Sequence, residues 1–191
     1  MCAQPVPDWL IPPPGGFRAE DLDRLPELPP HTELIDGSLV LVSPQKGFHS
    51  VFLDILVQRL RSCAPPEYRV RREMTVTLGP RQRPEPDLLV VDASAVDEEQ
   101  TSFAPASVTL VGEVVSPESV DRDRVRKPQL YAEAGIPHFW RIEKKNGDPV
   151  VYVYELDPAT NRYIPSGLHR NRLKVDLPYS VDIDLTEYRR L

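Results

Sequence analysis

The chain has little cysteine and no long apolar run, and these two absences argue against a disulfide-rich or a membrane-spanning protein. Its 191 residues contain two cysteines, Cys2 and Cys63, so neither a disulfide framework nor a CxxC metal-binding pair is expected. No stretch reaches the roughly 18 apolar residues that a membrane span needs. The N-terminus lacks the basic region and long apolar core of a signal peptide. These absences predict a soluble, cytoplasmic protein without a membrane partner.

An excess of positive charge is also missing, because the formal net charge is −6. This balance does not favour DNA binding, since phosphate contacts need lysine and arginine. The distribution of charge nevertheless matters more than its sum. Basic residues are concentrated in residues 69–83 and 122–127, each beside a carboxylate motif. Phosphate contact and solvated surface are both open interpretations of these two segments.

The length of the chain fits one domain with a core of its own. Residues 1–30 are rich in proline and weakly periodic, which predicts an N-terminal arm. Residues 31–191 contain no internal repeat and no linker-like stretch. They are therefore predicted to form a single domain.

The spacing of apolar residues alternates between helical and extended patterns. It predicts helices over residues 48–63 and 121–134, with Gly135 ending the second. Asp36-Gly37 predicts a two-residue hairpin turn. Strands are predicted at residues 32–35, 39–42, 68–78, 88–91, 108–115, 139–142 and 150–154, with one more in the C-terminal tail. This order predicts an α/β fold, in which a mixed β-sheet is flanked by α-helices and extended by extra C-terminal strands.

Two carboxylates stand beside buried strands. Glu113 has apolar neighbours within residues 108–115, where a carboxylate costs several kcal/mol unless it is paired or holds a cation. Asp87 opens the strand at residues 88–91. Together the two would suit Mg²⁺ or Mn²⁺, and a nearby lysine would supply positive charge to the attacking water or to a phosphate. Taken singly, a Pro-Asp pair is typical of a turn and a strand-end glutamate of a surface salt bridge.

Three segments carry a resemblance to a known family: ELIDGSLVLVSPQKGFHS, RPEPDLLVVD and LVGEVVSPESVDRDRVRKPQLYAEAGIPHFWRIE. From about residue 32 to residue 143 the chain resembles the Uma-type restriction-endonuclease-like family of the PD-(D/E)XK nuclease superfamily. The motifs stand in the family's order. The resemblance implies a restriction-endonuclease-like sheet and a nuclease activity.

The resemblance also implies a metal site. Asp87 and Glu113 would be the paired ligands, with the backbone carbonyl of Val114 as a third. Glu33 matches an early acidic residue of the family, and would bind the metal directly or through water.

The same resemblance assigns the remaining site residues. The superfamily's usual lysine lies two residues after the glutamate, where this chain has Val115, so its role passes to Lys127 in the next helix. Pro128 disfavours helical geometry at Lys127, which predicts a helix that begins near Pro128. His49 would touch phosphate or orient a water. Tyr131, farther along, is predicted to be a core aromatic.

These observations lead to a function hypothesis. The chain is predicted to be an endonuclease that hydrolyses phosphodiester bonds of DNA with Mg²⁺ or Mn²⁺. One site per chain cuts one strand, so cleavage of both strands would favour a homodimer. The alternative is a catalytically silent module of the same fold that binds nucleic acid or protein, which the negative charge and the displaced lysine favour.

Overall fold

A computed structural model of the chain describes residues 7–42 and 44–190, which contain twelve strands and two α-helices. Their bounds are β1 Glu33–Ile35, β2 Ser38–Val40, α1 Gly47–Cys63, β3 Tyr68–Arg72, β4 Thr75–Val76, β5 Leu88–Asp92, β6 Ser102–Phe103, β7 Val108–Val114, α2 Lys127–Glu133, β8 His138–Lys145, β9 Asp148–Asp157, β10 Arg162–His169, β11 Arg172–Val175 and β12 Val181–Asp184. Cys2 and Ser43 lie outside the described residues.

The central sheet has six strands in the order β10-β9-β8-β7-β5-β3. β7 and β8 run parallel, and α2 makes the crossover between them, while the other neighbours are antiparallel. This arrangement confirms the predicted mixed α/β fold.

Tight turns set the register of two hairpins. Asp36 and Gly37 both have positive φ, at 54° and 79°, as the central residues of a type I′ turn require. Ile35 therefore pairs with Ser38. Asn146 and Gly147 repeat this geometry between β8 and β9. The first turn matters for function, because it fixes the strand that carries Glu33.

Helix α1 covers one face of the sheet. Its apolar residues at helical spacing, including Phe52, Leu56 and Leu60, pack on the strands, and the helix ends before Pro65. The hairpin β11–β12 adds further apolar residues to the same core. The tail thus contains two strands where one was predicted, and the edge strand β10 was not predicted.

Helix α2 covers the opposite face, so one helix lies on each side of the sheet. Tyr131 and Ile136 pack with Val111 and Phe139 in a second core. Gly135, at φ 80°, ends the helix as predicted. The N–H of Ile136 donates to Tyr131 O and that of Gly135 to Ala132 O, which is a Schellman motif. The described residues include no helix with the length and apolarity that a membrane crossing requires.

The described part of the proline-rich segment is attached to the domain through Arg83. This side chain is 4% exposed, and its two Nη atoms donate to Asp23 at 2.6 and 2.9 Å. It also donates to the carbonyl of Ala19 and to Thr75. Phe17 and Ala19 are buried in a small cluster with Leu34. The division into an arm of residues 1–30 and a domain of residues 31–191 stays a prediction.

Replacement of Arg83 tests this attachment. Arg83→Met keeps the length of the side chain but leaves several buried acceptors without a donor, so we expect a loss of about 2–4 kcal/mol in the free energy of unfolding. Urea denaturation measures the loss. Arg24→Met, an exposed change beside the same segment, should unfold close to the wild type. Equal midpoints for both variants would contradict a structural role of Arg83.

Candidate active site

Lys127 lies at the centre of a buried group of carboxylates. Its Nζ is 2.7 Å from Glu33 Oε1, 3.0 Å from Glu113 Oε2 and 3.6 Å from Asp123 Oδ1. It is also 3.5 Å from the backbone carbonyl oxygen of Glu85. All four charged side chains are at most 5% exposed. One ammonium group therefore serves three carboxylates that are almost completely shielded from solvent.

A π-helical turn at Arg122–Arg126 brings Lys127 to this position. The N–H of Lys127 donates to the carbonyl of Arg122, five residues earlier, and the wider turn accommodates Pro128, which has no N–H. Helix α2 begins at Lys127 with Pro128 in its first turn, close to the predicted start. Lys127 itself is helical, at φ −61° and ψ −46°, so the expectation that Pro128 keeps it out of helical geometry is wrong.

Asp87 directly precedes β5, and Glu113 lies in the neighbouring strand β7. Leu88 pairs with Gly112, and continuation of this antiparallel register places Asp87 opposite Glu113. Opposite side chains project from the same face of a sheet, which brings the two carboxylates to one end of the strands. The N–H of Val114 donates to Asp87 Oδ2 at 2.6 Å. Since the N–H and C=O of a strand residue point the same way, the carbonyl of Val114 also faces the Asp87 side.

Both oxygens of Glu113 are engaged. Oε2 contacts Lys127, and Oε1 accepts a hydrogen bond of 2.6 Å from the hydroxyl of Tyr131, one helical turn after the lysine. Tyr131 was predicted to be a core aromatic. It is fully buried, as expected, but its hydroxyl also belongs to the site. Helix α2 therefore holds the Glu113 carboxylate with two side chains that are four residues apart.

Two histidines border the carboxylates. His49, in the first turn of α1, places Nε2 2.9 Å from Asp87 Oδ1, although the angle is outside hydrogen-bond geometry. Burial acts to lower the pKa of His49, but Asp87 and Glu73 outweigh it and the net shift is upward. His31 Nδ1 is 2.5 Å from Glu85 Oε1, and this contact raises the pKa of His31. The raised pKa values favour the protonated, positively charged form of both rings beside the acidic cluster.

The cluster contains more carboxyl groups than Lys127 alone can neutralise. Burial raises the pKa of Glu113 well above its ordinary value, against the lowering effect of Lys127. Burial raises the pKa of Asp123 in the same way. Burial acts to lower the pKa of Lys127, but Glu113, Glu33 and Asp123 hold it well above its ordinary value. Lys127 therefore stays charged, while burial disfavours the ionised forms of Glu113 and Asp123.

An open cavity of about 740 Å³ adjoins this cluster. It brings together all six residues that the sequence singled out: Glu33, His49, Asp87, Glu113, Val114 and Lys127. They come from five separate segments of the chain. Their shared position agrees with the expectation of one site, while the role of each stays a prediction.

Sequence reasoning missed Asp123 and Glu85. Asp123 is four residues before Lys127, the spacing of an ion pair on one helical face, and this signal was available. The N–H of Glu85 donates to Glu33 Oε1 at 2.9 Å, and its side chain pairs with His31. Glu85 gave no local signal, because its role depends on contacts across more than fifty residues.

The first basic segment, residues 69–83, is largely engaged within the fold. Arg83 fixes the N-terminal segment, and Arg72 forms ion pairs with Glu73, at 2.9 Å, and with Asp54. Arg69 donates to nearby backbone carbonyls. Solvated or structural roles account for these arginines better than phosphate contact does.

The residues present fit a hard divalent cation. Among residues 7–42 and 44–190, no three or more His, Cys, Asp or Glu side chains form a group that could hold a metal ion. Mg²⁺, however, is usually bound through one or two carboxylates and several waters. Asp87, Glu113 and the carbonyl of Val114 would supply such a partial set of oxygens, in a cavity lined by seven carboxyl groups.

Asp87, directly before β5, and Glu113, in β7, line one cavity with Lys127 at an end of the mixed sheet, an arrangement typical of restriction-endonuclease-like nucleases. The family model Uma2, described as "Putative restriction endonuclease", matches residues 19–186, and the chain belongs to that family. The match is longer than the expected range of residues 32–143. No curated protein matches the chain.

A solved structure shares this fold. It is the crystal structure of "a putative nuclease belonging to DUF820" from Anabaena variabilis ATCC 29413. The two chains are 20% identical with a TM-score of 0.66, and the match covers 85% of this chain and 89% of the other. At this identity the likeness establishes the fold.

Loss of the central cation should destabilise the fold strongly. Lys127→Met keeps the volume but leaves three buried carboxylates without a counter-charge, so we expect a loss of about 3–5 kcal/mol in the free energy of unfolding. Urea denaturation at neutral pH without divalent ions measures it. Lys46→Met is the matched control, because Lys46 lines the same cavity but pairs with Glu118 near solvent and should unfold like the wild type. A Lys127→Met variant as stable as this control would contradict the assignment.

Proposed function

We propose that the chain is a Mg²⁺- or Mn²⁺-dependent endonuclease that hydrolyses phosphodiester bonds of DNA. The observation that carries the proposal is the buried Lys127–carboxylate cluster next to Asp87, at the wall of a cavity open to solvent. A purely structural ion pair would not need so many carboxylates for one ammonium. Buried negative charge of this kind is costly unless a cation offsets it.

The metal ion would be held by Asp87, Glu113 and the backbone carbonyl of Val114. Glu33 would bind it directly or through a water molecule. When bound, the ion would polarise the scissile phosphodiester and make a water molecule a better nucleophile at neutral pH. Tyr131 and Lys127 each contact one oxygen of Glu113. They thereby fix the orientation of a ligand carboxylate before any substrate arrives.

Lys127 acts on the reaction mainly through the carboxylates. An ammonium has three donors, and three carboxylate oxygens lie within 3.6 Å of this one. Its positive charge would still attract a phosphate in the cavity, but its N–H donors are directed at the carboxylates. His49, beside Asp87 at the cavity, is placed to orient a water or to contact a phosphate oxygen.

Nuclease activity of an Asp87 variant tests the proposal. Asp87→Asn removes one negative oxygen and should lower the rate of plasmid nicking with Mg²⁺ or Mn²⁺ by at least about 100-fold. Supercoiled, linear and single-stranded DNA should be compared. Asp92→Asn, at the other end of β5 and outside the cavity, is the matched control and should cleave like the wild type. Tight DNA binding without cleavage by the wild type would instead favour a silent binding module.

Metal binding has a readout that does not depend on activity. Mg²⁺ that binds the folded state alone raises the melting temperature in a concentration-dependent way. We expect this rise for the wild type and for Asp92→Asn, and its loss for Asp87→Asn. Thermal melts without DNA, with millimolar Mg²⁺ or with EDTA, measure it. An equal response of all three proteins would exclude Asp87 as a ligand. Analytical ultracentrifugation would test whether the chain forms the homodimer that cleavage of both strands would favour.

A further inference from the structure

We propose that Arg122 forms a phosphate-binding subsite in the active-site cavity and contacts the DNA backbone at the position of cleavage. This inference rests on the proposed function, and it extends that function by naming the side chain that binds the substrate's phosphate. It follows from the state of the arginines on the π-helical turn and from the charge around the cavity.

The three arginines of the π-helical turn have different surroundings. Arg124 pairs with Glu143, Nη2 to Oε2 at 2.7 Å and Nε to Oε1 at 2.9 Å. Arg126 pairs with Asp36, again through two nitrogens. Arg122 forms no ion pair with any carboxylate of residues 7–42 and 44–190, and its Nε is buried without an acceptor there. A buried donor without a partner costs about 1–3 kcal/mol, so its persistence calls for an explanation.

Arg122 lines the same cavity as Asp87, Glu113 and Lys127, whereas Arg124 and Arg126 do not. Seven carboxylates also line that cavity. A phosphodiester that enters is therefore repelled unless positive charge receives it. The two histidines of the cavity, His31 and His49, already lie against Glu85 and Asp87. The subsite therefore calls for a lysine or arginine that faces the cavity and has free donors.

The other lysines and the other arginine of the cavity are committed. Lys46 pairs with Glu118 at 2.7 Å, and Arg72 pairs with Glu73 at 2.9 Å. Lys127 is surrounded by three carboxylates. Among the lysines and arginines that line the cavity in the described residues, Arg122 alone has no carboxylate partner. A guanidinium also has a planar fork of donors that matches two phosphate oxygens.

The backbone links this subsite to the catalytic cluster. The carbonyl of Arg122 accepts the N–H of Lys127 across the π-helical turn, so the two residues are held at a fixed separation. A phosphate bound by Arg122 would thus have a set position relative to the carboxylates that Lys127 holds. This coupling gives the wide turn a function beyond accommodating Pro128.

DNA binding by three arginine variants tests the proposal. Fluorescence anisotropy of a labelled duplex, in EDTA and again in Ca²⁺, would give Kd over a range of NaCl concentrations. Arg122→Gln should weaken binding about 10- to 100-fold and reduce the slope of log K against log salt by about one ion. Arg122→Lys should keep the slope but bind more weakly than the wild type, because lysine lacks the fork.

Arg126→Gln is the matched control, since Arg126 lies on the same turn but is paired with Asp36 outside the cavity. It should bind DNA like the wild type. Thermal melts should show Arg122→Gln folded, because the change removes an unpaired buried donor; if that variant did not fold, Arg122→Lys would carry the test through its affinity.

The outcomes separate the two proposals. If the wild type binds and cleaves DNA while Arg122→Gln binds with the same affinity and salt slope, the Arg122 subsite is overturned and the proposed function stands. Equal losses in Arg122→Gln and Arg126→Gln would also overturn the subsite, because they would reflect general charge. A wild type that neither binds nor cleaves DNA would overturn both.

Discussion

The burial of the Lys127 ammonium among Glu33, Glu113 and Asp123 is the constraint on which the rest of the site depends. A buried cation is tolerated when its desolvation is offset by close, well-directed partners. Each partner comes from a different element: Glu33 from β1, Glu113 from β7, and Asp123 from the π-helical turn. Displacement of any one would leave charge unpaired. The ion cluster therefore fixes how these elements meet, in addition to what they can do chemically.

The turn and the crossover near the cluster fix the positions of its side chains. The type I′ turn at Asp36-Gly37 sets the register of β1 and with it the position of Glu33. The parallel pairing of β7 and β8 requires a crossover, and α2 is that crossover. The crossover returns Lys127 and Tyr131 to the face of the sheet that bears Glu113. The turn thus positions Glu33, and the sheet topology brings Lys127 and Tyr131 to Glu113.

The sequence predicts the parts of this site that carry a local signal. Glu113 is anomalous within an apolar strand, and Asp36-Gly37 is a strong turn signal, so both could be read from neighbouring residues. Lys127 was identified through a resemblance, because a lone lysine has no local signal. The π-helical turn could not be predicted, since Pro128 shows that a regular helix is impaired but not how the chain relieves it. The second strand of the tail and the packing of Phe17 depend on long-range contacts that periodicity does not encode.

The same long-range dependence explains why the three arginines of the π-helical turn look alike in sequence and differ in the fold. Their partners, Glu143 and Asp36, lie 19 and 90 residues away. The fold alone determines that these two acids pair with Arg124 and Arg126, and that Arg122 lines the cavity. A chain with a net charge of −6 does not need a basic surface to receive a phosphodiester at one point. In the proposal, Arg122, a cation without a carboxylate partner, receives the phosphate in a cavity that is otherwise acidic.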